Sequence, residues 1–291
     1  MKHKRNNRVA LITGASSGIG LELTKRLLSE GWHVIALIRS AFPSSDSLVQ
    51  DSLRSQQLRI YTADLSDFTD LQASLNQIKK HEDHIDLLFN NAGVSFGELS
   101  FSKQGREMHF EVNSVVPYII LMELKELLGK GSFKTVINTS SNALLYLKQF
   151  DYHTLASPTV FKKLVGPYAA SKLALSLWTQ EIANSIQKDG IMIRSVCPGA
   201  NKTTITNNAG MPKFMIPIRH LFFSHPSEGA SRLYEAALGS SPHSTGVFLN
   251  KGKVTPLKFS SQGTEVLGMV ERIYRQEFTS LPPFLKPMQQ S

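Results

Sequence analysis

The sequence predicts an α/β fold in which a parallel sheet of six to seven strands carries helices on both faces. Two observations lead there. Short apolar runs rich in β-branched residues recur at "RVALITG" (8–14), "HVIALIR" (33–39), "LRIYTADL" (58–65), "IDLLFNNAG" (85–93), "KTVINTSS" (134–141) and "IMIRSVCPG" (191–199). They are continuous rather than alternating, as strands buried on both faces are. Helical segments separate them, and strand–helix alternation is the pattern of a parallel sheet covered on both sides.

The first strand ends at Gly14 and runs into "TGASSGIG", residues 13–20, then into a helix whose Leu21, Leu23, Leu27 and Leu28 recur near a helical period up to Gly31. Glycine at 14, 18 and 20 permits a tight turn, a close backbone approach to a phosphate and close packing of helix on sheet. Ser16, Ser17 and Ile19 complete that turn. The helix start offers free N–H groups and the positive end of its dipole to an anion. Further helices are expected over 110–128 and 167–188. Both carry apolar residues around most of their circumference, more than one sheet face would bury, which points to subunit contacts.

After Gly199 the pattern loosens. Residues 203–228 mix turn formers with Met211, Phe214, Met215, Phe222 and Phe223, read either as a flap over a lipophilic substrate or as apolar side chains packed on the core. The tail at 280–291 looks weakly ordered. The whole chain, 1–291, is expected to form one domain whose cofactor-binding and catalytic core spans 8–203.

Composition narrows the class. The net charge of +9 comes from 32 basic against 23 acidic residues, scattered rather than clustered, so a phosphate-bearing ligand explains it more simply than nucleic acid or a membrane surface. No apolar run reaches the roughly 20 residues that span a bilayer. The basic N-terminal stretch "MKHKRNNR" has no apolar segment of signal-peptide length behind it, so a cytoplasmic protein is expected. Cys197 is the single cysteine, and no paired histidine spacing suggests a metal.

"PYAASK" at 167–172 sets Tyr168 four residues before Lys172, on one face of a helix. A cation there favours phenolate and would lower the tyrosine pKa from about 10 toward neutrality, as general acid–base work requires. Asn113 has a local reading too. In a helix its carbonyl would accept from the N–H of residue 117, but Pro117 has none, so that carbonyl is left free.

In order along the chain, "TGASSGIG", "NNAG" (90–93), Asn113 in "EVNSV", "NTSS" (138–141), "YAASK" (168–172) and "PGANKT" (198–203) resemble the short-chain dehydrogenase/reductase family. "GREMHFEVN" (105–113), the 26 residues between Ser141 and Tyr168, and "TGVFLNKGKVTPL" (245–257) are similar to its retinol dehydrogenase and protochlorophyllide reductase-like branch. The resemblance implies a Rossmann-type doubly wound sheet and a nicotinamide cofactor moving hydride between a carbonyl and an alcohol. It implies Tyr168 as acid–base, Lys172 as its activator and ribose ligand, Ser141 as donor to the substrate oxygen, with Ser140 as the alternative, and Asn113 as anchor of a proton relay. Asp64 and Leu65 match an adenine contact, though Asp64 also reads as a helix cap. Asn91, Ala92 and Gly93 match a ribose contact, and Pro198, Gly199 and Thr203 the nicotinamide side, with Asn201 standing where a small apolar residue is usual.

Arg39 and Ser40 follow the second strand with no acid nearby. Arginine there pairs with a 2′-phosphate where a carboxylate would repel it, so NADP(H) is preferred, with NAD(H) as the alternative. Tyr146, Phe150, Tyr152 and Phe161 in the long insertion either line a pocket or cover the sheet edge. The expected partner is a small lipophilic aldehyde or ketone, or the corresponding alcohol, and the expected assembly a homodimer or homotetramer. A binding protein that senses the cofactor without turning it over is the competing reading.

Overall fold

The computed structural model describes residues 8–201, 224–239 and 244–282. Strands β1 (Val9–Thr13), β2 (His33–Ile38), β3 (Leu58–Thr62), β4 (Leu87–Asn90), β5 (Thr135–Thr139), β6 (Met192–Cys197) and β7 (Val247–Asn250) pair in parallel in the order β3-β2-β1-β4-β5-β6-β7. A two-residue strand β8 (Lys253–Val254) returns antiparallel on β7, so the sheet has eight strands. The seven parallel strands match the sequence reading. The eighth escaped it because two exposed residues leave no apolar signature.

The helices are α1 (Gly18–Ser29), α2 (Ser47–Arg54), α3 (Phe68–His81), α4 (Met108–Phe110), α5 (Val116–Lys130), α6 (Pro167–Gln187), α7 (Pro226–Leu238) and α8 (Gly263–Ile273). Each parallel strand feeds two cores. From β1, Val9 and Leu11 enter the layer built with α3, α5, α6 and α8, while Ala10 and Ile12 enter the layer of α1, α2 and α7. The continuous apolar run at 9–12 is thus an alternation with both faces filled. The chain crosses from β3 to β4 on the far side of β1, and the strand order reverses between β1 and β4. Open sheets of this kind leave a crevice at the carboxyl edge of that reversal.

The helix expected over 110–128 is interrupted. Between α4 and α5, residues Glu111–Val115 form a π turn in which the Val116 N–H reaches back to the Glu111 carbonyl. Pro117 explains it: with no N–H to offer residue 113, the ladder slips by one residue ahead of the proline.

The apolar circumference of α5 and α6 also has an explanation inside the chain. Helix α8 packs along α6, placing Val266, Val270 and Ile273, with Phe278 from the π turn Tyr274–Phe278, in the same core as Leu173, Leu177 and Trp178. Tyr118 sits between Trp178 and Tyr274, with ring centroids 5.5 and 6.0 Å away. The surplus apolar surface read from the sequence as a subunit interface is, on this face, covered by the C-terminal helix.

Of the flap expected over 203–228, residues 203–223 lie outside the described residues, and Pro226 already opens α7. Of the 280–291 tail, 283–291 lie outside them as well, while Leu281 packs on the core. No helix among the described residues is long and apolar enough to cross a membrane.

Phe278 is 1% exposed and meets Phe68 edge-on at 5.4 Å. Phe278→Ala is therefore expected to destabilise the chain by about 3–5 kcal/mol in urea unfolding. A loss below about 1 kcal/mol would mean that the C-terminal helix is not docked as described.

Candidate active site

The crevice is built first by close packing. A Cβ on Gly20 would fall 2.1 Å from the Gly14 carbonyl oxygen and 2.6 Å from Asn91 Nδ2, and one on Gly14 would lie 3.0 Å from Ala92 Cα. Gly14 and Gly18 also take φ of +65° and +52°, which glycine adopts without strain. Thr13, which sequence reasoning missed, holds the facing loop: its Oγ1 accepts from the N–H groups of Asn91 at 3.0 Å and Ala92 at 2.9 Å. Asn91 Nδ2 donates in turn to the Thr13 carbonyl at 3.1 Å. The asparagine side chain expected at a ribose thus braces the glycine turn, and Gly93 lies beside Lys172.

Helices α2 and α3 have their first N–H groups capped by the carboxylates of Asp46 and Asp67. Ser17, at the same position of α1, makes no side-chain cap. The first turn of α1, with Ser16, Ser17, Gly18, Ile19 and Gly20, therefore keeps its N–H groups for an outside acceptor, which fits a pyrophosphate. Arg39 and Ser40 stand exposed just past β2, and among the described residues Arg39 makes no hydrogen bond or ion pair. Asp64 is not the cap of α3, since Asp67 has that role. Its Oδ1 instead accepts from the Ser66 N–H and hydroxyl at 2.9 and 2.7 Å, while Leu65 packs on the core. A 2′-phosphorylated dinucleotide suits this set: free N–H groups for its pyrophosphate and an uncommitted arginine for its ribose phosphate.

At the end of β5 the two serines part. Ser140 is buried and turned to α6, bonding Ser176 Oγ at 2.8 Å and the Lys172 carbonyl at 3.3 Å. Ser141 is half-buried, accepts from the Ala143 N–H at 3.2 Å, and stands close enough to the Tyr168 phenol to favour its charged form. On this geometry Ser140 is committed to α6, which leaves Ser141 as the hydroxyl beside Tyr168. Lys172, 4% exposed, donates from Nζ to the Thr139 carbonyl at 2.7 Å.

Burial drives the Tyr168 pKa above its ordinary value, and the nearby Ser141 hydroxyl opposes this without reversing it. Burial likewise pulls Lys172 down to about 7. The phenol lowered toward neutrality, expected from the spacing alone, is thus not found in the free chain. The lysine is engaged by Thr139, and burial disfavours its charged form.

Asn113 is fully buried, and its side chain does work the sequence did not announce. Oδ1 accepts from the Val94 N–H at 2.8 Å, while Nδ2 donates to the Val94 carbonyl and to Ser171 Oγ, each at 3.1 Å. It clamps the loop after β4 to α6. Beside it, the fully buried His109 meets the Tyr168 ring edge-on at 6.0 Å. The sequence offered one hint of it, a histidine and acids inside the apolar stretch "GREMHFEVN".

Past β6, Gly199 takes φ +86°, where a Cβ would overlap Arg232 Nη1, and that arginine donates to the Pro198 carbonyl at 2.9 Å. Asn201 donates to the Pro198 and Gly199 carbonyls at 3.0 and 2.9 Å, and its Oδ1 accepts from the Gly229 N–H at 3.2 Å. The departure at 201 therefore fastens the turn to α7. Thr203 lies outside the described residues. Of the insertion aromatics, Phe161 approaches His109 at 6.5 Å, Phe150 packs on Phe259 at 5.9 Å, Tyr152 lies against the core and Tyr146 is 67% exposed.

With Lys172 near 7 folded and 10.5 unfolded, the unfolded chain binds the extra proton between those values, so stability rises with pH across that window. Lys172→Met is expected to flatten this rise, with its advantage over the wild type greatest below about pH 7 and shrinking toward 10.5. Thermal unfolding of the free chain across that pH range would show it, and parallel curves for the two proteins would refute the burial argument.

The chain matches the short chain dehydrogenase family over residues 8–152 and 155–213. It is 30% identical to mouse (Mus musculus) retinol dehydrogenase 12 and 29% identical to human (Homo sapiens) retinol dehydrogenase 11, each over 233 residues, 79% of this chain and 73% of the relative. A blue fluorescent protein from a metagenomic library, solved in complex with NADPH, superposes with a TM-score of 0.64 at 23% identity, covering 84% of this chain and 96% of that one. The matched span holds the glycine turn, the Asn113 clamp, Ser141 and the Tyr168–Lys172 pair, and the chain belongs to the short-chain dehydrogenase family of oxidoreductases.

Proposed function

We propose that this oxidoreductase interconverts a carbonyl and an alcohol with NADP(H), acting as a reductase on a lipophilic aldehyde or ketone. The observation that carries the proposal is the convergence of Ser141, Tyr168 and Lys172 beside a glycine turn with an uncapped helix start. Bound there, the dinucleotide supplies or accepts hydride at its nicotinamide ring. The protein's part is to place a carbonyl oxygen against two hydroxyls.

Ser141 donates to that oxygen as negative charge develops on it, and Tyr168 delivers the proton that completes the alcohol. Lys172, near 7, is suited to return the proton to the phenol, and its charged form lowers the cost of phenolate. Arg39 favours the 2′-phosphate because a guanidinium pairs with phosphate through two hydrogen bonds. The lipophilic substrate rests on the retinol dehydrogenase names of the relatives and on Phe96 and Phe161, which pack on His109, the ring that meets the reacting tyrosine.

Two substitutions test this. Tyr168→Phe keeps the ring and loses the proton, so NADPH affinity should stay within about twofold while turnover falls by about 10²–10⁴. Retained turnover would end the mechanism, and so would a full panel of aldehydes and ketones that leaves NADPH unconsumed by the wild type. Arg39→Ala should weaken NADPH by roughly tenfold or more, the scale of a charge-assisted hydrogen bond, and leave NADH unchanged. Equal effects on both cofactors would remove the NADP(H) preference.

A further inference from the structure

We infer that His109 is a positioning residue for the Tyr168 phenol, held in one orientation by Glu107 and the Phe96 amide so that its ring walls the reacting side chain. The inference rests on Tyr168 as the acid–base.

Both ring nitrogens of His109 are committed. Nε2 lies 2.9 Å from the Phe96 N–H and must accept, so the ring proton sits on Nδ1 and points to Glu107 Oε1 at 2.5 Å. Glu107 is fully buried too, and its other oxygen accepts from the Phe110 N–H at 2.9 Å. Two acceptors are needed at once, which a carboxylate supplies and an amide does not. The imidazole therefore has one tautomer and no free rotation.

That fixed ring touches three aromatic partners, with centroids 5.5 Å from Phe96, 6.5 Å from Phe161 and 6.0 Å from Tyr168. The Tyr168 contact is edge-to-face at 81°. Such pairs have a preferred relative orientation, so the phenol plane is tied to the imidazole plane. A phenolic O–H lies in the plane of its ring, and the plane thus sets the direction in which the proton leaves. The Phe96 bond has a separate effect: it holds the loop after β4, already clamped at Val94 by Asn113, over the tyrosine. One residue thereby serves proton direction through its ring and the substrate wall through its nitrogen.

Two variants of the full chain separate these effects, with NADPH and a carbonyl panel containing decanal and cinnamaldehyde. His109→Gln keeps an acceptor near Nε2 and loses the ring, so kcat should fall about tenfold or more, the scale of a misplaced reacting group, with the carbonyl KM and NADPH affinity within about twofold. His109→Phe keeps an aromatic ring against Tyr168 but loses the two bonds that orient it, so kcat should fall by about threefold, less than in His109→Gln, while the carbonyl KM rises about fivefold or more as the loop after β4 is released. Glu107→Gln, which removes one of the two acceptors, should follow His109→Phe and serves if that variant does not fold.

Unchanged kcat in His109→Gln would overturn the inference. So would equal losses of kcat in His109→Gln and His109→Phe, or a kcat loss matched by a loss of NADPH affinity, as a merely structural residue would give. Tyr168→Phe keeps the two readings apart: inactive Tyr168→Phe with normal His109→Gln sinks only this inference, whereas active Tyr168→Phe, or no turnover with the whole panel, removes the mechanism on which it depends.

Discussion

Where the β1–β4 ladder ends at the middle of the sheet, one hydroxyl carries the pairing into the loops: that of Thr13, which accepts from consecutive backbone N–H groups just past β4. The contact fixes the separation of the loops after β1 and β4, and everything at the carboxyl edge inherits it. With Asn91 and Ala92 pinned there, α1 approaches closely enough that only glycine fits at positions 14 and 20. With Val94 clamped by Asn113, Gly93 leaves room for the Lys172 ammonium, and Lys172 meets the end of β5. A change of a few tenths of an ångström at Thr13 would have to be absorbed by backbone on both sides, since interiors this dense have little slack.

The part of this arrangement that could be read from the sequence is the part written in local chemistry. Continuous apolar runs mark strands with two filled faces, glycines mark the tight turn, and a tyrosine four residues ahead of a lysine marks a shared helix face. Pro117 foretold a disturbed hydrogen-bond ladder at Asn113, and the π turn is its outcome. What stayed hidden depends on partners far away in the chain. Asn113 bonds Val94 and Ser171, 19 and 58 residues off, and the spacing of neither is a signal. The apolar face of α6 was visible, but not that α8 fills it. Spacing also misled at the lysine, because i,i+4 geometry says where a side chain starts and not which carbonyl it finds.

Burial of polar groups is a recurring device around the site, and several of the buried groups have a specific task. Ser140 ties strand to helix, leaving Ser141 for the crevice. Glu107 caps a helix start and fixes an imidazole. Arg106, 8% exposed, joins Glu111 of the π turn to Glu277 beyond α8, both at 2.5 Å. A buried ion pair adds little net stability, yet removing one partner strands the other charge, so such groups enforce one arrangement rather than strengthen it. On the proposed chemistry, which depends on the direction of a single O–H, uniqueness matters more than added stability.

The bond from Arg106 to Glu277 spans 171 positions of sequence. In ribosomal synthesis the glycine turn and α6 emerge well before α8, so the helix bearing Tyr168 first appears with its outer apolar face uncovered. Until residue 278 has left the exit tunnel, Trp178 and Tyr118 lack their cover and Arg106 lacks its second partner. The nascent chain thus carries an adhesive surface from the emergence of α6 until that of α8.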